Sequence, residues 1–330
     1  MPADSFLPAL RAAGLEGDAE LRDVDTTATA DLPGLREYQG SPEQLNSWLD
    51  GHRVLCVHAA PVTRELLLEH PSVRLVACAR GGPVNIDLPA ARDLGVVVTT
   101  TPAKNAPAVA DLTVCMMIML LRRLLPAALS LRDLSGAGVR EIDSTFIGSG
   151  WMAAEPRGRT LALIGVGNVA RQVAPLAAAL GMRMVGYDPY APADVASLGI
   201  QLGGLEEVLG QADVVSLHAR ATPETRHLID AARIAIMRPG ALLINTSRQS
   251  LVDEEAVLRA LESGQLGGAA LDVCEPKGQW HELVRRDDVI ITPHLGGATI
   301  ETRERGAVMV AEEITRYLAG VGARHPASLG

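Results

Sequence analysis

The chain has 330 residues, of which 48% are hydrophobic and 21% are charged. This composition supplies enough apolar side chains for two ordinary domains and argues against extensive disorder. The net charge of -9, without any run of lysine and arginine, excludes the clustered basic surface that nucleic-acid binding requires.

The sequence gives no sign of export or of a membrane span. No basic segment followed by an apolar one opens the chain, so we predict a cytoplasmic location. The longest apolar run, Val114 to Leu121, is far shorter than the roughly 20 residues that cross a bilayer, and it predicts a buried helix. The cysteines lie far apart and in no metal-ligand spacing, so we predict reduced, buried residues and no metal site. They are Cys56, Cys78, Cys115 and Cys274.

Short runs rich in β-branched residues alternate with longer segments of helical periodicity through most of the chain. These runs are VLCVHA (54–59), VRLVACA (73–79), GVVVTT (95–100), TLALIG (160–165), RMVGYD (183–188), DVVSLH (213–218), ALLINT (241–246), GGAALDV (267–273) and DVIITPH (288–294). This alternation predicts an α/β fold with parallel sheets and helices on both faces.

A long helical segment (105–132) and a Gly-rich loop (135–150) divide these strands into two groups. We therefore predict two domains, each with a doubly wound parallel sheet, joined by a helix. The last helical segment (299–319) is expected to return to the first domain. The first fifty residues begin with the helical sequence SFLPALRAAG and have no strand before it.

One glycine-rich turn carries the pattern of a dinucleotide site. Gly165, Gly167 and Ala170 form GxGxxA between an apolar strand and a helix. The first glycine permits a tight turn, the second lets the backbone approach a pyrophosphate, and the alanine allows close packing of helix on strand. The amides of Asn168 and Val169 would then face the phosphates.

The next predicted strand ends in Asp188, close to the spacing at which an acid binds the ribose hydroxyls. Its charge would repel a 2'-phosphate, so we predict NAD rather than NADP as the cofactor.

Several longer motifs together resemble the D-isomer-specific 2-hydroxyacid dehydrogenases, in particular those that are phosphoglycerate dehydrogenase-like. Besides the dinucleotide turn, the motifs are RGGPVNIDLPAARDLGVVVTTTPAKN (80–105), SLHARATPETRHLI (216–229), NTSRQSLVDEEAVLRALESGQLGGAALDV (245–273) and ITPHLGGAT (291–299). The resemblance implies a flavodoxin-like substrate domain (1–104 plus 300–330) and a Rossmann NAD-binding domain (105–299). It also implies a homodimer formed through the 105–132 helix.

The same resemblance assigns roles to individual residues. Arg248 matches the arginine that grips the substrate carboxylate, and His294 matches the histidine that moves the proton. Other positions match residues that line the cofactor: Ala219, Thr246, Ser247, Arg248, Asp272, His294, Gly296 and Gly297. The substrate loop corresponds to Gly81, Gly82 and Asn85, flanked by the cationic Arg80 and Lys104.

The match fails at two places. Lys277 occupies the position of the family's catalytic glutamate, and a local gap would bring Glu275 into that role. A lysine facing His294 would instead lower the histidine pKa and weaken it as an acid. Gln249 and Ser250 replace two glycines that commonly follow the arginine, which leaves the substrate unidentified.

The sequence therefore predicts an NAD-dependent oxidoreductase that interconverts a small D-2-hydroxy acid and its 2-oxo acid. D-3-phosphoglycerate dehydrogenase is the alternative within that class. A catalytically weak protein that binds NAD(H) as a sensor is the alternative from another class, because the glutamate position is altered. Retention of Arg248 and His294 favours the enzyme, since a sensor needs neither a carboxylate grip nor a proton donor.

Overall fold

The structure is a computed structural model that describes residues 3–25, 32–143, 148, 150–274 and 278–327. The chain divides into two compact units, residues 1–104 with 299–330, and residues 105–298. Each unit is built on a parallel sheet with helices, which confirms the predicted fold class.

The smaller unit contains a three-stranded parallel sheet with the order β1-β2-β3. Its strands are β1 (Val54–Val57), β2 (Leu75–Cys78) and β3 (Val97–Thr99). Its earlier helices are α1 (Leu7–Ala12), α2 (Pro42–Asn46), α3 (Arg64–Glu69) and α4 (Leu88–Asp93), with short 3-10 turns at Ala3–Phe6 and Glu16–Asp18. A long helix from the end of the chain, here α12 (Ile300–Leu318), belongs to the same unit.

Apolar clusters cover both faces of this sheet. On one face Val76 and Val98 pack with side chains of α2, α3 and α4, such as Leu66. On the other face Leu75 contacts a cluster that α1 and α12 provide, including Val310. The alternation of side chains along each strand thus sends successive residues into two different cores, as a three-layer arrangement requires.

The chain after α12 returns to the sheet edge and bonds to β3. The amide of Ala327 donates to the Val98 carbonyl at 2.8 Å, and the amide of Thr100 donates to the His325 carbonyl at 2.9 Å. Glu313, only 1% exposed, accepts the amides of Arg324 and His325 at 3.0 and 3.1 Å. These bonds satisfy a carboxylate that would otherwise be buried without partners.

The larger unit contains a seven-stranded parallel sheet with the order β10-β9-β8-β7-β4-β5-β6. Its strands are β4 (Thr160–Ile164), β5 (Arg183–Tyr187), β6 (Ile200–Leu202), β7 (Val214–Leu217), β8 (Ala241–Asn245), β9 (Leu266–Leu271) and β10 (Val289–Ile291). Its helices are α5 (Ala106–Leu121), α6 (Leu124–Gly136), α7 (Asn168–Ala179), α8 (Leu205–Gln211), α9 (Ala231–Ile236), α10 (Glu254–Glu262) and α11 (Trp280–Leu283). Short 3-10 turns lie at Ala193–Leu198, Pro223–Thr225 and Gln249–Leu251.

Two apolar clusters fill the faces of the larger sheet. One packs Leu217 and Leu243 against α8, α9 and α10, and the other packs Leu163 and Ile244 against α5 and α7. The central strands β4, β7 and β8 are buried along their whole length, which explains their nearly continuous apolar sequences.

The structure differs from the sequence predictions in two local features. β6 was not predicted, because three residues are too few to show a strand pattern. The single helix predicted over 105–132 is two helices, broken where Arg123 takes a left-handed backbone conformation with φ +49°. Among the described residues no single helix has the length and apolarity needed to cross a bilayer. α5 and α6 have that length and apolarity only when they are counted as one helix, and the two are bent by 64° at their junction.

The predicted burial of the cysteines is only partly correct. Cys78 is buried in β2, whereas Cys56 and Cys115 are exposed and Cys274 is intermediate. Cys56 lies on the edge strand β1, where one side has no neighbouring strand to cover it. Cys115 lies on α5 away from the buried positions Met116 and Met117. An apolar sequence context therefore did not determine which face of each element the sulfur occupies.

Candidate active site

The glycine-rich turn lies where the direction of strand addition in the larger sheet reverses. β4 pairs with β5 on one side and with β7 on the other, so the loops after β4 and β7 diverge at this point. Gly165 follows β4 with φ +89°, and a Cβ atom there would lie 2.6 Å from the amide nitrogen of Ala219 after β7. Only glycine satisfies both the backbone conformation and this contact.

The helix that follows this turn has an open N-terminus. Gly167 is the N-cap of α7 and contributes no side-chain hydrogen bond, and a Cβ atom on it would meet nothing within 4 Å. The first helical bond runs from the Arg171 amide to the Gly167 carbonyl, so the amides of Asn168 and Val169 have no acceptor within the helix. Ala170 is fully buried against the sheet. These features fit the pyrophosphate of a dinucleotide.

Asp188 lies beside the same turn at the end of β5. Its Oδ2 accepts the amide of Val166 at 2.8 Å, and its Oδ1 accepts the amide of Tyr190 at 2.8 Å. The two bonds fix a carboxylate next to the glycine turn, as a ribose-binding acid requires.

Three other predicted residues follow three adjacent strands. Asn245, Leu271 and Ile291 end β8, β9 and β10 and are in register with one another. Because the strands are parallel, the residues that follow emerge at one edge of the sheet. These residues include Arg248, Asp272 and His294.

Asp272 organises the loop that carries His294. Its Oδ1 accepts the Leu295 amide and the Thr292 hydroxyl, both at 2.6 Å, and its Oδ2 accepts the Gly296 amide at 2.7 Å. The Asp272 residue is only 1% exposed, so these bonds offset the cost of burying its charge. The sequence placed Asp272 among the cofactor-lining residues, and the structure adds the role of positioning this loop.

His294 has a left-handed backbone conformation with φ +58°, which is uncommon for residues other than glycine. Its amide donates to the carbonyl of Asp272 at 3.0 Å and to that of Thr292 at 2.9 Å. The residue itself is exposed. The local backbone is thus fixed while the imidazole remains accessible, and such strain is typical of functional sites.

Arg248 is presented by a loop that Asn245 braces. The Asn245 side chain donates to the Arg248 carbonyl at 2.9 Å and accepts the Ser247 amide at 3.1 Å. The Ser247 hydroxyl donates to the Ala219 carbonyl at 2.7 Å, which joins this loop to the one after β7. The Arg248 side chain is exposed and bonds only to the Ser247 carbonyl among the contacts described, at 2.9 Å.

The sequence did not predict one contact near this loop. The hydroxyls of Thr246 and Thr113 lie 2.9 Å apart and are buried, so α5 is bonded to the segment after β8. The only signal in the sequence was a threonine directly before the apolar run Val114–Leu121 of α5.

The predicted substrate residues lie together in the smaller unit, after β2 and β3. Asn85 is fully buried and donates to the Ala60 carbonyl at 2.7 Å, so its side chain braces the loop from within. Gly82 borders open space, since a Cβ atom there would meet nothing within 4 Å. Glu275 and Lys277 lie outside the described residues.

Replacing Gly165 with alanine is expected to weaken NADH binding at least about tenfold, because a left-handed alanine is strained by about 1–3 kcal/mol and its Cβ would overlap the Ala219 backbone. Fluorescence titration with NADH measures the effect. Gly204→Ala is the control, since Gly204 has φ -65° and open space around its Cβ position. Equal affinity in both variants would contradict this account of the turn.

Replacing Asp272 with asparagine should loosen the His294 loop, because at least one bond between an amide and a charged acceptor, worth about 1.5–3 kcal/mol, is lost. Hydrogen exchange of peptides covering 292–298 is expected to accelerate about tenfold or more. Asp230→Asn is the control, because that carboxylate contacts only Arg233 among the contacts described: it accepts the Arg233 amide at the N-terminus of α9 and lies 3.6 Å from the Arg233 guanidinium. If the hydrogen-exchange rate of the 292–298 peptides did not change, Asp272 would not position this loop.

Comparison with known proteins follows the same division of the chain. Residues 114–296 match the family described as D-isomer specific 2-hydroxyacid dehydrogenase, NAD binding domain. D-3-phosphoglycerate dehydrogenase of Methanocaldococcus jannaschii is 36% identical over 264 residues, which are 78% of this chain and 48% of that protein. This chain thus spans about half the length of such relatives.

Two further matches extend over most of both proteins. Hydroxypyruvate reductase of Thermotoga maritima is 34% identical over 80% of this chain and 84% of its own length. The crystal structure of the TT0316 protein from Thermus thermophilus matches with a TM-score of 0.79 and 33% identity, covering 99% of this chain and 98% of that one. The chain belongs to the D-isomer-specific 2-hydroxyacid dehydrogenase family, and its cofactor is NAD.

Proposed function

We propose that the chain is an NAD-dependent oxidoreductase that interconverts a small D-2-hydroxy acid and its 2-oxo acid. The observation that carries the proposal is the emergence of Arg248 and the His294 loop from β8 and β10, the two parallel strands on either side of β9 in an NAD-binding unit. This reaction requires two groups from the protein, one that binds the substrate carboxylate and one that accepts or donates the proton.

The bound cofactor supplies the hydride acceptor for oxidation and the hydride donor for reduction. Arg248 binds the substrate carboxylate through its planar guanidinium, which can donate two parallel hydrogen bonds. His294 accepts the hydroxyl proton when the alcohol is oxidised and returns a proton to the carbonyl oxygen in reduction. In this proposal Glu275 has the role of the family's glutamate, since a lysine such as Lys277 would disfavour the protonated imidazole.

The smaller unit contributes the substrate loop in this proposal, with Gly81 and Gly82 donating backbone amides to the carboxylate. In the described part of the chain neither amide has a backbone acceptor, which supports this use. Arg80 and Lys104 flank the two glycines and supply positive charge. Residues 1–104 with 300–330 would then be the substrate domain, and 105–299 the NAD-binding domain.

The test is NADH oxidation by the full chain with glyoxylate, pyruvate, hydroxypyruvate and 3-phosphohydroxypyruvate, on a panel widened to further 2-oxo acids that include diacids. Turnover is expected with at least one acid, and His294→Ala should lower kcat about 10²- to 10⁴-fold because the proton carrier is lost. Arg248→Lys should lower kcat/KM about tenfold or more, because an ammonium cannot reproduce the two-bond grip. The controls are the exposed His281→Ala and Arg285→Lys.

Each alternative has its own outcome in this assay. Preference for 3-phosphohydroxypyruvate would favour D-3-phosphoglycerate dehydrogenase, an alternative supported by the names of several relatives. NADH binding without turnover of any acid would favour the sensor. A large loss with Glu275→Gln, and a small one with Lys277→Ala, would assign the glutamate role to Glu275.

A cytoplasmic homodimer completes the proposal. α6 exposes the large apolar side chains Leu124, Leu129 and Leu131 at 53%, 39% and 41%, and only its Pro126 is buried. A surface helix of a monomer more commonly turns such residues toward its core.

Sedimentation of the full chain is expected to show a dimer, which Leu131→Asp should shift toward the monomer because a charge would be buried in the interface. Leu318→Asp, on an exposed position of α12, is the matched control. A wild-type monomer would refute this part of the proposal.

A further inference from the structure

Three side chains that can carry positive charge lie at one edge of the small sheet. His58, Arg80 and Lys104 follow β1, β2 and β3 respectively. The strands are parallel and in register, with Val57 opposite Cys78 and Ala77 opposite Thr99, so the three following loops emerge at the same edge. We call His58, Arg80, Gly81, Gly82, Thr101 and Lys104 the Lys104 cluster.

The Lys104 ammonium is held in a fixed place. Its Nζ donates to the Ala79 carbonyl at 2.5 Å, and its own carbonyl accepts Nε of Arg305 at 2.8 Å. Its side chain lies against Gly306 of α12, where an added Cβ would be 3.0 Å from the lysine Cδ and 3.3 Å from Nζ. Glycine at 306 therefore leaves the space that the lysine stem occupies.

The charges of the Lys104 cluster do not cancel. Arg80 forms an ion pair with the Glu37 carboxylate and also donates to the Glu37 carbonyl at 2.7 Å. Among the described residues no carboxylate lies within 4 Å of the Lys104 ammonium. Burial, together with nearby cations that include Lys104 and Arg80, lowers the pKa of His58 to about 3, so His58 is neutral at pH 7. As far as the described residues go, the positive charge of Lys104 is the one charge of the cluster without a compensating acid within 4 Å.

Hydrogen-bonding groups that have no partner among the described residues lie in the same two loops as Arg80 and Lys104. The Thr101 hydroxyl is buried, with the residue 1% exposed, and it has no hydrogen-bond partner in the described part of the chain. Its backbone amide donates to the Arg80 carbonyl at 2.9 Å, which ties it to the glycine loop. A buried hydroxyl without a partner is costly unless a ligand or water satisfies it. Together with the open amides of Gly81 and Gly82, it indicates a site for a polar ligand.

We infer that the Lys104 cluster binds the second carboxylate of a dicarboxylic substrate, so that the substrate is a four- or five-carbon 2-oxo or 2-hydroxy diacid. The inference rests on the proposed function, in which Gly81 and Gly82 bind the first carboxylate. The Lys104 ammonium lies on the Ala79 carbonyl, and the two residues from Ala79 to Gly81 span at most about 7 Å of chain. A short diacid can therefore reach both groups.

The charge balance favours a carboxylate over a phosphate. A carboxylate carries a single negative charge, which matches the one uncompensated positive charge of the Lys104 cluster. A phosphate monoester carries about -1.5 to -2 at pH 7 and would leave negative charge unpaired in a half-buried place. Lys104 is in this account a specificity-determining residue, and it takes no part in the proton transfer.

The test compares matched pairs of acids that differ only in the second carboxylate: oxaloacetate with 2-oxobutyrate, and 2-oxoglutarate with 2-oxovalerate. For at least one pair, the wild type is expected to have a kcat/KM for the diacid at least about 100-fold above that for the matched monoacid, a difference of about 2.7 kcal/mol. Lys104→Met should reduce that preference at least tenfold, mainly through KM, and Lys104→Arg should retain part of it. Arg92→Met, which removes an exposed cation of α4, should leave the preference unchanged.

Other outcomes overturn the inference. If Lys104→Met lowered kcat/KM equally for the diacid and for its matched monoacid, Lys104 would be only a structural support of the Ala79 carbonyl. Preference for the monoacids, or for 3-phosphohydroxypyruvate over both diacids, would also refute it. Calorimetry with D-malate and D-2-hydroxyglutarate, in the presence of NADH, separates this inference from the proposed function. Lys104-dependent binding without any turnover would uphold the diacid site and refute the enzyme.

Discussion

The seven strands of the larger unit all run in the same direction, and their pairing fixes where polar side chains can gather. Because adjacent strands are in register from Tyr187 through Ile164 and Leu217 to Asn245, their carboxyl ends form one line. The glycine turn, the acid Asp188 and the loop of Arg248 all start from that line. A shift of one residue in any of these strands would reverse its faces and send its side chains into the opposite core, where they do not fit, so the apolar packing protects the arrangement of the site.

Sequence reasoning located most strands and the motif residues, because most strands lie in short runs rich in β-branched residues and each motif has a fixed spacing. It failed where the determining contact is distant in sequence. Nothing near Asp272 shows that its two oxygens receive groups from residues 292–296. The uncompensated charge of Lys104 depends likewise on which loops the fold brings together. Such features follow from tertiary packing and leave no local pattern.

Three carboxylates at least partly withdrawn from solvent fix backbone in this protein. Asp272, Glu313 and Asp188 each receive two amides, and in each case the amides belong to an irregular segment outside the named strands and helices. An anionic acceptor bonds an amide more strongly than a neutral one does. Irregular segments next to the sheets are thereby fixed by hydrogen bonds to charged acceptors.

The smaller unit is built from both ends of the described chain, with the whole larger unit inserted between them. Its cluster around Leu75 needs Val310 of α12, and its edge strand β3 needs the amide of Ala327. On the ribosome, β1 to β3 emerge long before these partners, and the intervening unit can complete its own core meanwhile. The smaller unit, whose strands are synthesised first, is thus the last to complete its fold. The apolar face of its sheet stays exposed until residues more than 200 positions later have been synthesised.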